Sequence, residues 1–177
     1  MKKTILSLFL LAATCISYAD NNEARWLRDV RISPDGTKVA FCYKGDIYTV
    51  GIAGGVATRL TTQPSYEANP VWSPDGRQIA FSSDRHGNAD VFVMPADGGR
   101  ALRLTYNSTA ETPTAFTPDG KSVLFNASIQ KQAESMLFSH RSMSEVYTVS
   151  VAGGRPVQMP GTPAEAISFT PDGRQML

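Results

Sequence analysis

Two cysteines and two histidines in 177 residues leave little material for thiol or imidazole chemistry. Two cysteines cannot build a disulfide-rich scaffold or a four-cysteine zinc site, and two histidines severely restrict acid–base catalysis. Charge is almost balanced, with 17 basic against 16 acidic residues, so there is no electrostatic footprint for nucleic acid or an anionic membrane surface. A phosphate-cradling glycine loop is absent, as is a basic–aromatic stripe for single-stranded nucleic acid. Glycine and proline, 14 and 11 residues, are only slightly above ordinary usage, which excludes collagen and disorder. What remains, at 42% hydrophobic, is a globular chain able to bury a core.

The first segment stands apart. Met1-Lys2-Lys3 is a basic head, Thr4 to Ile16 is an apolar run, and Ser17-Tyr18-Ala19 supplies small residues for a signal peptidase. The run is too short for a membrane span, which needs about 20 residues. Residues 1–19 are therefore expected to be a signal peptide cleaved after Ala19, giving an exported, periplasmic chain with no membrane span. Losing Lys2 and Lys3 leaves 15 basic against 16 acidic residues, a net of −1, and Cys42 becomes the lone thiol. A rival reading anchors lipid on Cys15 after Leu11-Ala12-Ala13-Thr14, although threonine before the cysteine fits poorly.

The rest, residues 20–177, is a repeat. Ser33-Pro34-Asp35-Gly36 recurs as Ser73-Pro74-Asp75-Gly76, Thr117-Pro118-Asp119-Gly120 and Thr170-Pro171-Asp172-Gly173. A period near 40 residues with strand-like content is a propeller signature. Phe41, Phe81 and Phe125 each follow the aspartate by the same interval, and a second aromatic recurs as Tyr48, Phe92 and Tyr147. Glycine pairs follow at Gly54-Gly55, Gly98-Gly99 and Gly153-Gly154, then Leu60, Leu104 and Met159. Proline presets φ, aspartate suits the next turn position and glycine tolerates positive φ, so Asp35-Gly36, Asp75-Gly76, Asp119-Gly120 and Asp172-Gly173 read as structural turns between strands A and B. The glycine pairs close strands C and D. Apolar residues on both faces of strands B and C demand neighbouring sheets on both sides.

The fold class is thus all-β: a β-propeller of four-stranded blades. The spacing predicts blade 1 over about 24–62, blade 2 over 69–106, blade 3 over 113–160 and the start of a fourth over 166–177. Strand A is expected at Trp26 to Ile32, then at Val71-Trp72-Ser73 and Ala115-Phe116. Propellers close with about four to eight blades, so three and a fraction read as part of a longer ring, or one completed by another chain. A continuous antiparallel sandwich is the alternative fold, but it does not require this fixed register.

The order of segments carries a resemblance: Trp26 to Gly36, Val39-Ala40-Phe41, Lys44-Gly45-Asp46-Ile47-Tyr48, Arg59-Leu60-Thr61, Glu67-Ala68-Asn69-Pro70-Val71-Trp72, Ser82-Ser83-Asp84-Arg85 and Arg103-Leu104-Thr105. The chain resembles the N-terminal six-bladed propeller of tricorn-type serine proteases, in particular the exported bacterial group; the repeat alone is also similar to TolB propellers. The resemblance implies a large peptidase that degrades oligopeptides, with a PDZ module and a catalytic core beyond Leu177. It also implies that the propeller filters unfolded peptides or docks a partner. None of the family's catalytic residues matches a position here, so no catalytic residue, cofactor or metal is expected in this chain, and alone it should be inactive. The archetype is a cytosolic archaeal assembly, and the export signal sets this chain apart from it. The second reading is a non-enzymatic, TolB-like periplasmic module that binds proteins; a propeller glycosidase is a weaker third, for want of paired carboxylates.

Most candidate residues have structural readings. His86, in Asp84-Arg85-His86-Gly87-Asn88, is turn chemistry; Asp84, Asn88 and Asp90 lack the full pattern of a calcium loop; Cys42 reads as a small buried hydrophobe; and Asn107-Ser108-Thr109 is a common chance triplet. The informative variation is the B–C loop, longest in blade 3 from Ala127 to Ser144. Long loops on one face of a rigid scaffold carry function. Gln130, Lys131, Met136, Leu137, Phe138, His140 and Arg141 are therefore candidate peptide-contacting residues, against a reading of Met136-Leu137-Phe138 as a lid packed on the next blade. His140 beside Ser139 and Ser142 does not make a catalytic pair, because triad partners converge in space rather than in sequence. The expected partners are unfolded peptides or a protein and the rest of the same polypeptide, with homo-oligomerisation left open.

Overall fold

The computed structural model describes residues 26–128, 144–159, 169, 170 and 175. Twelve strands form three four-stranded antiparallel sheets, each in simple meander order. The first sheet holds β1 (Arg28–Ile32), β2 (Lys38–Tyr43), β3 (Asp46–Gly51) and β4 (Thr58–Arg59). The second holds β5 (Glu67–Trp72), β6 (Gln78–Ser83), β7 (Asp90–Pro95) and β8 (Leu102–Arg103). The third holds β9 (Glu111–Phe116), β10 (Ser122–Ala127), β11 (Glu145–Ser150) and β12 (Val157–Gln158). The sheets pack as consecutive propeller blades, with β5 against both β1 and β9, and the three do not close a ring.

Strand A of the second and third blades begins earlier than the sequence suggested, at Glu67 and Glu111. Asn69-Pro70 and Pro113 precede the expected strand starts, yet they lie inside these strands, where the register shifts against β6 and β10. Such irregularities are where a strand accommodates proline, which has no N–H to give to the ladder.

The repeated aromatics are direct cross-strand partners. Phe41 opposes Tyr48, Phe81 opposes Phe92 and Phe125 opposes Tyr147, each pair stacked with ring centroids 5.7 Å apart. Each stack adds about 0.5–1.5 kcal/mol beyond the area it buries. One face of blade 2, with Trp72, Ile79, Phe81, Phe92 and Met94, packs on Ala40, Cys42 and Ile47 of blade 1. Its other face, with Ala80, Val91, Val93 and Leu104, packs on Phe116, Val123, Phe125, Tyr147 and Val149 of blade 3. Two-sided burial therefore explains the apolar runs of β6 and β7. Phe169, from the fourth repeat, packs against Leu124 and Val146 on the far side of blade 3.

The A–B turns are built alike. Asp35 Oδ1 accepts hydrogen bonds from Ser33 Oγ at 2.6 Å and Thr37 N at 3.0 Å, while Ser33 Oγ accepts Lys38 N at 2.9 Å. Asp75 with Ser73 and Asp119 with Thr117 repeat the arrangement. Gly36, Gly76 and Gly120 have φ of 71°, 68° and 68°, a left-handed conformation that costs glycine nothing. These hydrogen bonds hold the Asp35 carboxyl down at about 2, Ser33 contributing most, and lower Asp75 and Asp119 in the same way. In the fourth repeat Asp172 and Gly173 lie outside the described residues, but Thr170 and Gln175 make the same paired contacts, 2.9 and 3.1 Å.

Candidate functional site

In a meander, the starts of strands A and C and the ends of B and D share one face, opposite the Pro-Asp-Gly turns. On that face a backbone hydrogen bond crosses each seam between the described blades, beside a buried carboxylate. Strand A of blade 2 begins with Glu67, whose N–H donates to Gly45 O at 2.7 Å in the B–C turn of blade 1; Glu111 N donates likewise to Ala89 O at 2.8 Å. Both glutamate side chains are fully buried.

Their surroundings differ. Glu67 Oε1 accepts Ser65 Oγ, Ser83 Oγ at 3.0 Å and Arg85 Nη2 at 3.1 Å. Arg85 lies over the Phe92 ring at 4.4 Å, and His86 stacks on that ring at 6.1 Å, so the B–C loop of blade 2 is pinned to its core. Glu111 Oε1 takes the Asn107 amide at 2.7 Å but meets no arginine; Oε2 has no hydrogen-bond partner. Burial chiefly, and neighbouring Asp90 secondarily, push the Glu111 carboxyl above the ordinary carboxylate range.

A second repeated pair lies alongside. Asp46 meets Arg59 at 2.7 Å, and Asp90 meets Arg103 at 2.7 Å. The Asp90 contact is a close ion pair without the alignment of a hydrogen bond, since neither Asp90 oxygen has a hydrogen-bond partner. Thr61 and Thr105 hydroxyls cap the strand-C amides of Ile47 and Val91, at 2.9 and 2.8 Å. This explains the recurring Arg-Leu-Thr: the arginine neutralises the strand-C aspartate, the leucine turns inward and the threonine caps. The sequence contained the signal, since Asp46 to Arg59 and Asp90 to Arg103 are equally spaced and each arginine precedes a glutamate by eight residues. Reading the repeat only through its turns and aromatics missed it.

The same face carries an open cleft of about 200 Å³, lined by Trp26, Arg28, Tyr43, Lys44, Gly45 and Tyr66 among others. It lies where the blade 1 B–C turn meets the segment leading into blade 2. Trp26 is 76% exposed and Tyr66 48%.

The other candidates are placed separately. Asp84 Oδ1 accepts Tyr66 N at 2.7 Å, Asn88 donates to the Asn107 and Thr109 carbonyls at 2.8 Å, and Asp90 holds Arg103, so these three do not converge on a cation. Among the described residues no cluster of three or more histidine, cysteine or acidic residues suits a metal. Cys42 is buried, and its thiol is pushed up to about 12 by burial and by Asp29. Gln130, Lys131, Met136, Leu137, Phe138, His140 and Arg141 lie outside the described residues, as does the N-terminal segment with Cys15. No helix among the described residues is long and apolar enough to cross a membrane.

Comparison with known proteins adds to this geometry. Residues 24–177 match a family model described as the tricorn protease N-terminal beta propeller domain. An uncharacterized protein of Agrobacterium fabrum is 44% identical over 59 residues, 31% of this chain and 20% of that protein. Among solved structures, a TolB-type protein from Agrobacterium tumefaciens superposes with a TM-score of 0.66 at 22% identity, over 84% of this chain and 51% of that one. The tricorn protease superposes with a TM-score of 0.54 at 15% identity, over 78% of this chain and 14% of that one. At these identities the structures establish the fold alone, and the chain spans a fifth of the curated relative and about half or less of the two structures.

Proposed function

The chain belongs to the family of tricorn protease N-terminal β-propeller domains, and from that premise we propose that it is the leading propeller segment of a larger, exported serine peptidase that degrades oligopeptides. Its task is to admit or dock unfolded peptide, and the catalytic groups belong to the remainder of the polypeptide. The family match carries this reading. The asymmetry of the two faces supports it: the turns of the three described blades repeat the same hydrogen bonds, whereas the B–C connections on the other face differ in length from blade to blade. The blade 3 insert between β10 and β11, with Gln130, Lys131, Met136, Leu137, Phe138, His140 and Arg141, would contact peptide. Changing Met136-Leu137-Phe138 to serines should slow peptide turnover at unchanged stability.

The mass of the native product tests the proposal. An antibody against the propeller should detect a periplasmic band several-fold heavier than 19.1 kDa. A mature band of about 17 kDa, the signal removed, would contradict it. That outcome would favour the second reading, a stand-alone TolB-like binding module, which the higher TM-score to the TolB-type structure keeps in view.

A further inference from the structure

The cleft of Trp26, Arg28, Tyr43, Lys44 and Tyr66 is built in a way that folding alone does not require. Tyr43 pairs with Asp46, so Lys44-Gly45 is a two-residue hairpin loop with positive φ at both positions, 51° and 85°. Such a loop favours asparagine, aspartate or glycine first, because a side chain there crowds the backbone. Lysine occupies it instead, its Nζ 5.3 Å from the centre of the Tyr43 ring. Trp26, at the other wall, also has a positive φ of 80°. Tyr66 lies directly on Gly45, where an added Cβ would come within 3.2 Å of the tyrosine ring, so the floor of the cleft requires glycine. Arg28 Nη1 reaches the Tyr66 hydroxyl at 3.4 Å.

The charges lining the cleft are both positive, Arg28 and Lys44. Of the nearby carboxylates, Asp46 is paired with Arg59 and Glu67 with Arg85, while Asp84 and Asp29 accept the backbone amides of Tyr66 and Asn69. Among the described residues neither Arg28 nor Lys44 meets a carboxylate. Tryptophan, tyrosine and arginine are the side chains that dominate binding hot spots. Here they line an open cleft of about 200 Å³, wide enough to take one side chain.

Resting on the peptide-docking reading above, we propose that this cleft receives an acidic side chain of an extended peptide, with a neighbouring apolar side chain against Trp26 and Tyr66. Arg28 and Lys44 supply the two cations for the carboxylate, and the aromatic walls offer apolar surface to the neighbouring side chain. Strain accepted at Lys44 for the sake of a charge is the pattern expected of a binding position rather than a folding one.

The test is fluorescence anisotropy with the full-length protein and labelled, end-blocked peptides containing Phe-Glu or Phe-Gln between glycine–serine flanks. The Phe-Glu peptide should bind at least tenfold more tightly, with affinity falling steeply as salt rises. Arg28→Gln and Lys44→Gly should each bring Phe-Glu affinity towards that of Phe-Gln. Lys44→Gly should at the same time raise the melting temperature, since glycine relieves the turn; a merely structural lysine would not separate the two readouts. Equal binding of the two peptides, or unchanged binding by both variants, would overturn the assignment. Binding only of a peptide ending in a free Phe carboxylate would overturn it too, because the site would then read a chain end. Failure of this inference differs from failure of the docking reading: in the latter case a permanently unfolded protein would not bind at all.

Discussion

The two faces of the blades follow different rules. On the turn face, three blades repeat Ser/Thr-Pro-Asp-Gly with the same hydrogen bonds, to within about 0.1 Å. Successive turns also meet in the same way, Pro34 beside Gly76 and Pro74 beside Gly120. On the opposite face the strand-end contacts of blades 1 and 2 are copied as closely, Asp46–Arg59 and Asp90–Arg103 both at 2.7 Å, but the B–C connections are not. Blade 1 closes B to C with two residues, one a strained lysine; blade 2 uses an arginine-pinned loop; blade 3 carries the long insert. Sameness belongs to the contacts that make a blade, and difference to the B–C loops on the face proposed to meet peptide.

The glutamates that open β5 and β9 show how far the difference reaches. They occupy equivalent positions, are equally buried and take equivalent backbone bonds, yet only Glu67 has an arginine. The most damaging change to this arrangement should be Arg85→Met, which strands the Glu67 carboxylate in the interior and should cost about 3–5 kcal/mol, read from the urea midpoint. Glu111→Gln should do the reverse, stabilising the protein by about 1 kcal/mol near pH 7, because it removes a buried charge whose neighbouring cation, Arg103, is already paired with Asp90.

The pH dependence has a definite sign. The Glu111 carboxyl is raised in the folded state above its ordinary 4.5, so wild-type stability should fall as pH rises through 4.5 towards the folded value, and the glutamine variant should lose that fall. The turn-face aspartates have the opposite sign. Their folded values are depressed, to about 2 for Asp35, so the stability they contribute is present above 3.8 and is lost as pH drops through the folded values. Asp75→Asn, on an exposed turn, should give the smallest shift of the series, with peptide binding unchanged.

Legibility in the sequence followed the same division. The turns, the paired aromatics and the glycine pairs were readable because identical backbone problems were solved with identical residues: Phe81 and Phe92 recur because each blade must fill the same seam. Strand starts at Glu67 and Glu111 were not readable, since proline inside a strand usually argues against one. The buried ion pairs escaped because Asp46 and Arg59 are thirteen residues apart and meet only once β3 and β4 are side by side. The cleft escaped for a different reason. Trp26, Tyr43 and Tyr66 belong to three segments and share no motif, so only the packing of blade 2 on blade 1 brings them together.

The claim that one face makes the blades while the other meets peptide can be tested directly by hydrogen–deuterium exchange on the full-length protein, with and without a reduced, carboxymethylated unfolded protein. Protection should appear at residues 43–46, 63–67 and 84–89, while the turns at 34–36, 74–76 and 118–120 stay unchanged. Protection confined to those turns, or none on either face at saturating ligand, would contradict the account.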